Sequence, residues 1–176
     1  DEHGELTRQA IRLPDNLKLK VYRQEFRTRF CEGLLSRRVL IAEGETETTA
    51  FPVVCRRLAE LNPNKYKSLE ALGICTLNAG SDSKIPSMAK LFNEIGKRTF
   101  AICDKQDATN QALIEAEVEL LLMHDKNAIE SLVLEGTTDA ALQRFAASLE
   151  WPPHLTHKYP DPIAQARAAL SDYFSW

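Results

Sequence analysis

Four short apolar runs in this sequence each lead into an acid. Val39-Leu40-Ile41-Ala42 runs into Glu43-Gly44-Glu45-Thr46-Glu47. The run 71–79 leads into Gly80-Ser81-Asp82-Ser83-Lys84, the run 98–103 into Asp104-Lys105-Gln106-Asp107, and the run 118–123 into His124-Asp125-Lys126. Carboxylates sharing a small space repel, by roughly 4 kcal/mol for two unit charges about 4 Å apart at an effective dielectric of 20. Either one of them protonates or a divalent cation lies between them. An all-oxygen donor set points to Mg²⁺ or Mn²⁺, with Ca²⁺ also able to occupy the site. The candidate ligands are Glu43, Glu47, Asp104 and Asp107. No His or Cys cluster suits zinc, and His154 and His157 fall in a proline-rich stretch and are not read as ligands.

These acids can cooperate only if the elements carrying them bring them together. The runs 38–43, 71–79, 98–104 and 118–123 read as short, nearly continuous apolar strands. They alternate with helical patterns over 47–61, 83–96 and 108–116. That alternation predicts an α/β fold, with about four mostly parallel strands covered by helices on both faces. In such a sheet, right-handed crossovers place all strand carboxyl ends on one edge, and ligands bind there, where the strand order reverses. Glu43 and Asp104, each at the last position of its strand, project into one crevice if their strands are neighbours. Glu47 lies one helical turn beyond Glu43, and Asp107 lies three residues beyond Asp104. Glu45 points away by strand alternation and is the least favoured acid. Ser81 and the amides of the Gly80 loop can hold a phosphate at a helix start, with Lys84 as a further contact. Each feature also has a purely architectural reading. Gly44 with Glu47 three residues on fits a capping box, Asp107 fits a cap for a helix starting at Ala108, and the Gly80 loop fits a simple turn with Asp82 or Ser83 as cap.

The flanking segments are helical. Leu19, Tyr22, Phe26, Phe30 and Leu34 recur at helical spacing over 15–37, opposite a face bearing Lys18, Lys20, Arg23, Arg27 and Arg29. That face reads as solvated, or as an arm for phosphate or for dimer formation. Three more helices are expected within 127–136, 138–151 and 161–174, with 151–162 as a proline-rich loop. The division expected is an arm (1–37), a core (38–135) and a helical extension (136–176).

The chain has 176 residues, 44% hydrophobic and 27% charged, with a net charge of −3. This is globular composition. No apolar stretch is long enough to span a membrane, and the acidic start is not a signal peptide. The absence of an initiating Met suggests a mature, trimmed or excised piece. The slight negative charge counts against a general nucleic-acid binder unless cations neutralise the acids. Cys31, Cys55, Cys75 and Cys103 lie far apart in apolar segments and read as reduced core thiols of an intracellular protein.

A strand ending in EGxxE, here Glu43 to Glu47, resembles the first motif of the Toprim domain. TFAICDKQD stands where that domain carries its second motif, usually DxD, but its acids are spaced DxxD. Within Toprim, the closest resemblance is to the OLD (overcoming lysogenization defect) ATP-dependent endonucleases. LLSRR precedes VLIAEGETE, FPVVCRRLAEL follows it, and NAGSDSKIPSMAKLF opens the next helix. The likeness spans roughly 16–135. It implies a Rossmann-like Toprim fold and two-metal cleavage of DNA by a Mg²⁺/Mn²⁺-dependent endonuclease or nickase, with Ca²⁺ occupying the site without turnover.

Carried onto this chain, the resemblance implies Glu43, Glu47 and Asp104 as catalytic and metal-holding residues, assisted by Asp107, with Glu130 as a later ligand. Gly80, Ser81 and Lys84 would contact phosphate. Relatives have a downstream catalytic lysine that this chain does not reach, so Lys105 or Lys84 is the substitute. The resemblance also implies an N-terminal ABC-type ATPase as partner within the same full-length protein, a cytoplasmic bacterial or archaeal setting, a role in phage defence, and a possible homodimer without membrane association. No G-x-x-x-x-G-K-S/T occurs, so this chain holds no nucleotide site of that kind and reads as a C-terminal region. Two rivals stay open. One is a Toprim-like docking or DNA-binding module without catalysis. The other is a response-regulator-like or phosphatase-like domain with Asp104 as phosphoryl acceptor.

Overall fold

The computed structural model describes residues 27–126 and 128–175. The chain divides into two compact units, one ending at Met123 and one starting at His124. The division falls ahead of the helix at 129–136, so that helix groups with the C-terminal segment rather than with the sheet.

The first unit runs α1 (Arg27–Leu35), β1 (Arg38–Ala42), α2 (Glu45–Leu61), β2 (Ile74–Asn78), a 3₁₀ turn (Asp82–Lys84), α3 (Ile85–Glu94), β3 (Arg98–Cys103), α4 (Ala108–Glu115) and β4 (Leu120–Met123). The strands form one parallel sheet in the order β2-β1-β3-β4. The chain first adds β2 on one side of β1 and then crosses to add β3 on the other. Strand order therefore reverses at the β1/β3 seam, where Ala42 pairs with Ile102. The four apolar runs are the four strands, as their composition requires. Glu43 and Asp104 each lie one residue beyond a strand, not at its last position.

Alternation along the strands separates two cores. Val39, Ile41, Leu77, Ala101 and Cys103 face one side, where they pack with Phe30 of α1, Ile85, Met88 and Phe92 of α3, and Ile114 of α4. Leu40, Ala42 and Ile102 face the other, against Phe51 of α2. The first core is the larger. Phe92 is fully buried, and its ring stands 5.1 Å from that of Phe30. Gly33 permits this approach, because a Cβ there would lie 2.8 Å from the Phe92 ring. The described part of the first helix is thus docked on the sheet. The rest of the expected helix, including the cationic positions Lys18, Lys20 and Arg23, lies outside the described residues.

The second unit contains α5 (Ile129–Gly136), α6 (Asp139–Ala146), α7 (Pro153–Lys158) and α8 (Ala166–Phe174). Leu134, Leu142, Ala146, Ala166 and Leu170 form its core. Arg167 ties α8 to the α5–α6 turn, donating to Asp139 Oδ1 at 2.7 Å and to the Thr137 carbonyl at 2.8 Å. α7 corrects the reading of 151–162 as a loop. Pro152 and Pro153 occupy the cap and first helical positions, where proline costs no backbone hydrogen bond. Among the described residues, no helix is long and apolar enough to cross a membrane.

Candidate active site

The carboxyl edge of the sheet is built outward from the β1/β3 seam. Glu43 N–H still donates to the Ile102 carbonyl at 3.2 Å, so the ladder carries one residue past β1 and fixes the Glu43 backbone beside β3. The Asp104 N–H then donates to Glu43 Oε2 at 3.3 Å. Residues 61 positions apart in sequence are thereby locked together at the switch point. Both side chains are half-buried, and Asp104 Oδ1 is shielded from solvent.

Glu47 reaches the same edge from the first turn of α2. It is buried, and its Oε2 accepts the Gly44 N–H at 3.1 Å. The capping-box geometry is therefore present on its carboxylate side. Thr48 Oγ1 donates to the Gly44 carbonyl at 2.6 Å and completes the turn. Glu45 is the first residue of α2, not part of a strand, so strand alternation does not govern it. Its Oε2 accepts from Asn78 Nδ2 at 2.8 Å, linking the start of α2 to the end of β2.

The β2 loop contributes an acid that the sequence reading noted after the strand but did not count among the ligands. Asp82 Oδ1 accepts the Ser83 N–H at 2.6 Å, and its Oδ2 accepts Asn110 Nδ2 at 3.1 Å. The Asp82 charge is felt at Glu43. Burial first, and then the charges of Asp104, Asp82 and Glu47, hold the Glu43 carboxyl above the ordinary glutamate value, against the lowering effect of the Asp104 N–H. Four carboxylates from three chain segments thus share one electrostatic neighbourhood. No sequence signal beyond its place after β2 marked Asp82 as a member.

Gly80 has φ +76°, a left-handed backbone that suits glycine, and its N–H donates to Asn78 Oδ1 at 2.6 Å. Lys84 Nζ lies over it, 3.6 Å from where a Cβ would stand. Ser81 Oγ is 3.1 Å from Ser83 Oγ. Gly80, Ser81 and Lys84 are therefore one local loop at the same sheet edge. Lys105 is exposed directly after Asp104.

Asp107 is exposed and caps α4: its Oδ1 accepts the N–H groups of Thr109 at 2.8 Å and Asn110 at 2.9 Å. Gln106 is the residue of this segment that turns inward. Its Nε2 donates to Glu43 Oε2 at 3.3 Å and to the Asp104 carbonyl at 3.1 Å. Its Oε1 accepts from Asn110 Nδ2 at 2.8 Å. Glu130 begins α5 in the second unit, where it is half-buried. Beneath the crevice, burial and then the Glu43 charge push the Cys103 thiol up to about 11, so this cysteine is a protonated core residue and not a nucleophile.

The donor chemistry fits a hard divalent cation: oxygen-only groups, several of them anionic, at a position where added positive charge relieves repulsion. In this hydrogen-bonded arrangement, no three Asp, Glu, His or Cys side chains among the described residues converge in metal-ligating fashion.

Comparison with curated proteins and with solved structures finds no match. Residues 34–105 match the family model described as "Overcoming lysogenization defect protein-like, TOPRIM domain". The matched segment runs from the end of α1 through β1, β2 and β3 and takes in Glu43, Glu47, Asp82 and Asp104. Toprim domains bind divalent metals and are associated with nuclease and primase activity on nucleic acids. The parallel sheet, its switch point and the matched segment agree: residues 34–105 of this chain match the Toprim domain of the OLD-like family.

Proposed function

We propose that this domain is a Mg²⁺- or Mn²⁺-dependent endodeoxyribonuclease that cleaves or nicks the DNA backbone with two metal ions, coupled to an ABC-type ATPase region of a longer protein. The observation that carries this reading is the meeting of Glu43 and Asp104 at the β1/β3 switch point, fixed by the Asp104 N–H on Glu43 Oε2. Glu43, Asp104 and Glu47 would hold the cations, and Asp82 joins them on the strength of its charge at Glu43. Asp107 is left out of the set because it is committed as a helix cap. Bound cations would supply Lewis-acid charge that activates a water and neutralises the leaving oxygen. The Gly80–Ser81 loop and Lys84 suit a backbone phosphate next to the acids, and Lys105 is a second cation on that side. Glu43→Gln and Asp104→Asn should each reduce Mn²⁺-supported nicking of supercoiled DNA at least about 100-fold. Undiminished nicking in both variants would remove the assignment.

One observation favours a non-catalytic docking module instead: the inward-turned residue after Asp104 is the neutral Gln106, not an acid. Calorimetric titration with Mn²⁺ separates the two, because a docking module would give no binding heat and no cation-dependent rise in melting temperature.

A further inference from the structure

Two amides stitch the acids of the crevice together. Asn110 Nδ2 donates both to Asp82 Oδ2 at 3.1 Å and to Gln106 Oε1 at 2.8 Å. Gln106 Nε2 in turn donates to Glu43 Oε2 at 3.3 Å. The chain of donors has one direction. Because Asn110 must aim its NH₂ at the Asp82 carboxylate, Gln106 presents its oxygen to Asn110, and its own NH₂ is left for Glu43. The polarity of one amide therefore sets that of the next. Gln106 is further braced by its backbone N–H on Met123 Sδ at 3.4 Å, which anchors the loop to β4. Asn110 sits on α4 one turn from Gln106, and the Asp107 cap fixes where that helix begins.

We propose that Gln106 and Asn110 form a positioning relay: it orients the Glu43 carboxylate beside Asp104 and ties Asp82 to the same crevice, so that the acids are held for a divalent cation. The proposal rests on the metal-binding reading of the site. Neither residue is a ligand in it. Each acts through the carboxylate to which it donates, as supporting hydrogen bonds do around metal ligands.

The test is Mn²⁺ binding by calorimetry to the whole chain, with the melting temperature of the metal-free protein as a control. Gln106→Met keeps the side-chain length and removes both the amide oxygen and the amide NH₂. Asn110→Asp puts an acceptor against Gln106 Oε1, which forces the Gln106 amide to turn and present oxygen to Glu43. Each variant should weaken Mn²⁺ binding about ten- to hundred-fold, and the double variant should lose little more than either single one, because the two act in series. Asn110→Ser, which retains a donor, should recover part of the affinity lost in Asn110→Asp. Mn²⁺ affinities equal to that of the parent in Gln106→Met and Asn110→Asp, or losses that simply add, would overturn the relay. If Glu43→Gln still abolished binding in that case, the metal site itself would stand. Parent protein that binds no Mn²⁺ would overturn both.

Discussion

Gly44 and Glu47 occupy each other's space: the Glu47 carboxylate accepts the Gly44 N–H at 3.1 Å, and a Cβ on residue 44 would lie 2.9 Å from the same oxygen. Residue 44 has φ −134°, so the demand for glycine here is steric and not conformational. Gly44→Ala should push Glu47 off its cap and destabilise the protein by about 1 kcal/mol. Urea unfolding, read as a lower midpoint at unchanged slope, checks this. The same substitution should weaken Mn²⁺ binding, whereas a glycine needed only for chain flexibility would leave the metal response alone.

The raised Glu43 pKa sets a pH dependence. The folded protein holds this proton to a higher pH than the unfolded chain, whose glutamate has the ordinary value of 4.5. The associated stabilisation is complete below 4.5 and is lost as pH rises through the raised value. Glu43→Gln removes that loss. Without divalent cations, the variant should melt above the parent at pH 7, and the gap should close near pH 4. Adding Mn²⁺ at pH 7 should stabilise the parent and not the variant. A parent that outmelts Glu43→Gln at pH 7 in chelator would contradict the crowded-carboxylate picture.

Gly80 needs its left-handed backbone, so Gly80→Ala should cost about 1 kcal/mol or more. Its added methyl would also sit 3.6 Å from Lys84 Nζ. Binding of short DNA to a cleavage-deficient Asp104→Asn background should weaken further when Gly80→Ala is added, if this loop faces phosphate. Unaltered DNA affinity would limit the loop to a turn.

The cysteines should react in a definite order. Cys31 is exposed, whereas Cys103 is buried and its thiol is pushed up to about 11. At pH 8 the thiolate fraction of Cys103 is on the order of one in a thousand. Alkylation followed by mass spectrometry should label Cys31 first and Cys103 only on unfolding.

The strands, their parallel arrangement and the meeting of Glu43 with Asp104 were legible because they rest on strong local signals: short, mostly apolar runs, each followed within three residues by an acid. Asp82 was not legible as part of the site, since an acid after a Gly-Ser turn reads equally well as a cap, and only tertiary structure carries its charge to Glu43. Gln106 and Asn110 were invisible for a different reason. Neutral amides have no charge or periodic signature, and their importance depends on which atoms face which. Glu45 was misread because the end of β1 falls three residues earlier than strand alternation through it would need. α7 was hidden by its two prolines, which mark a loop in most contexts but begin a helix here.

Because growth of the sheet changes sides at β1, the crevice is a late product of synthesis. Glu43 emerges from the ribosome some sixty residues before its counterpart, and no local contact can bring the two together sooner. A nascent or truncated chain ending ahead of β3 carries the first acidic motif without the wall opposite it. On the nuclease reading proposed above, the capacity to gather hard cations is therefore tied to the arrival of β3, and a half-made domain would lack it.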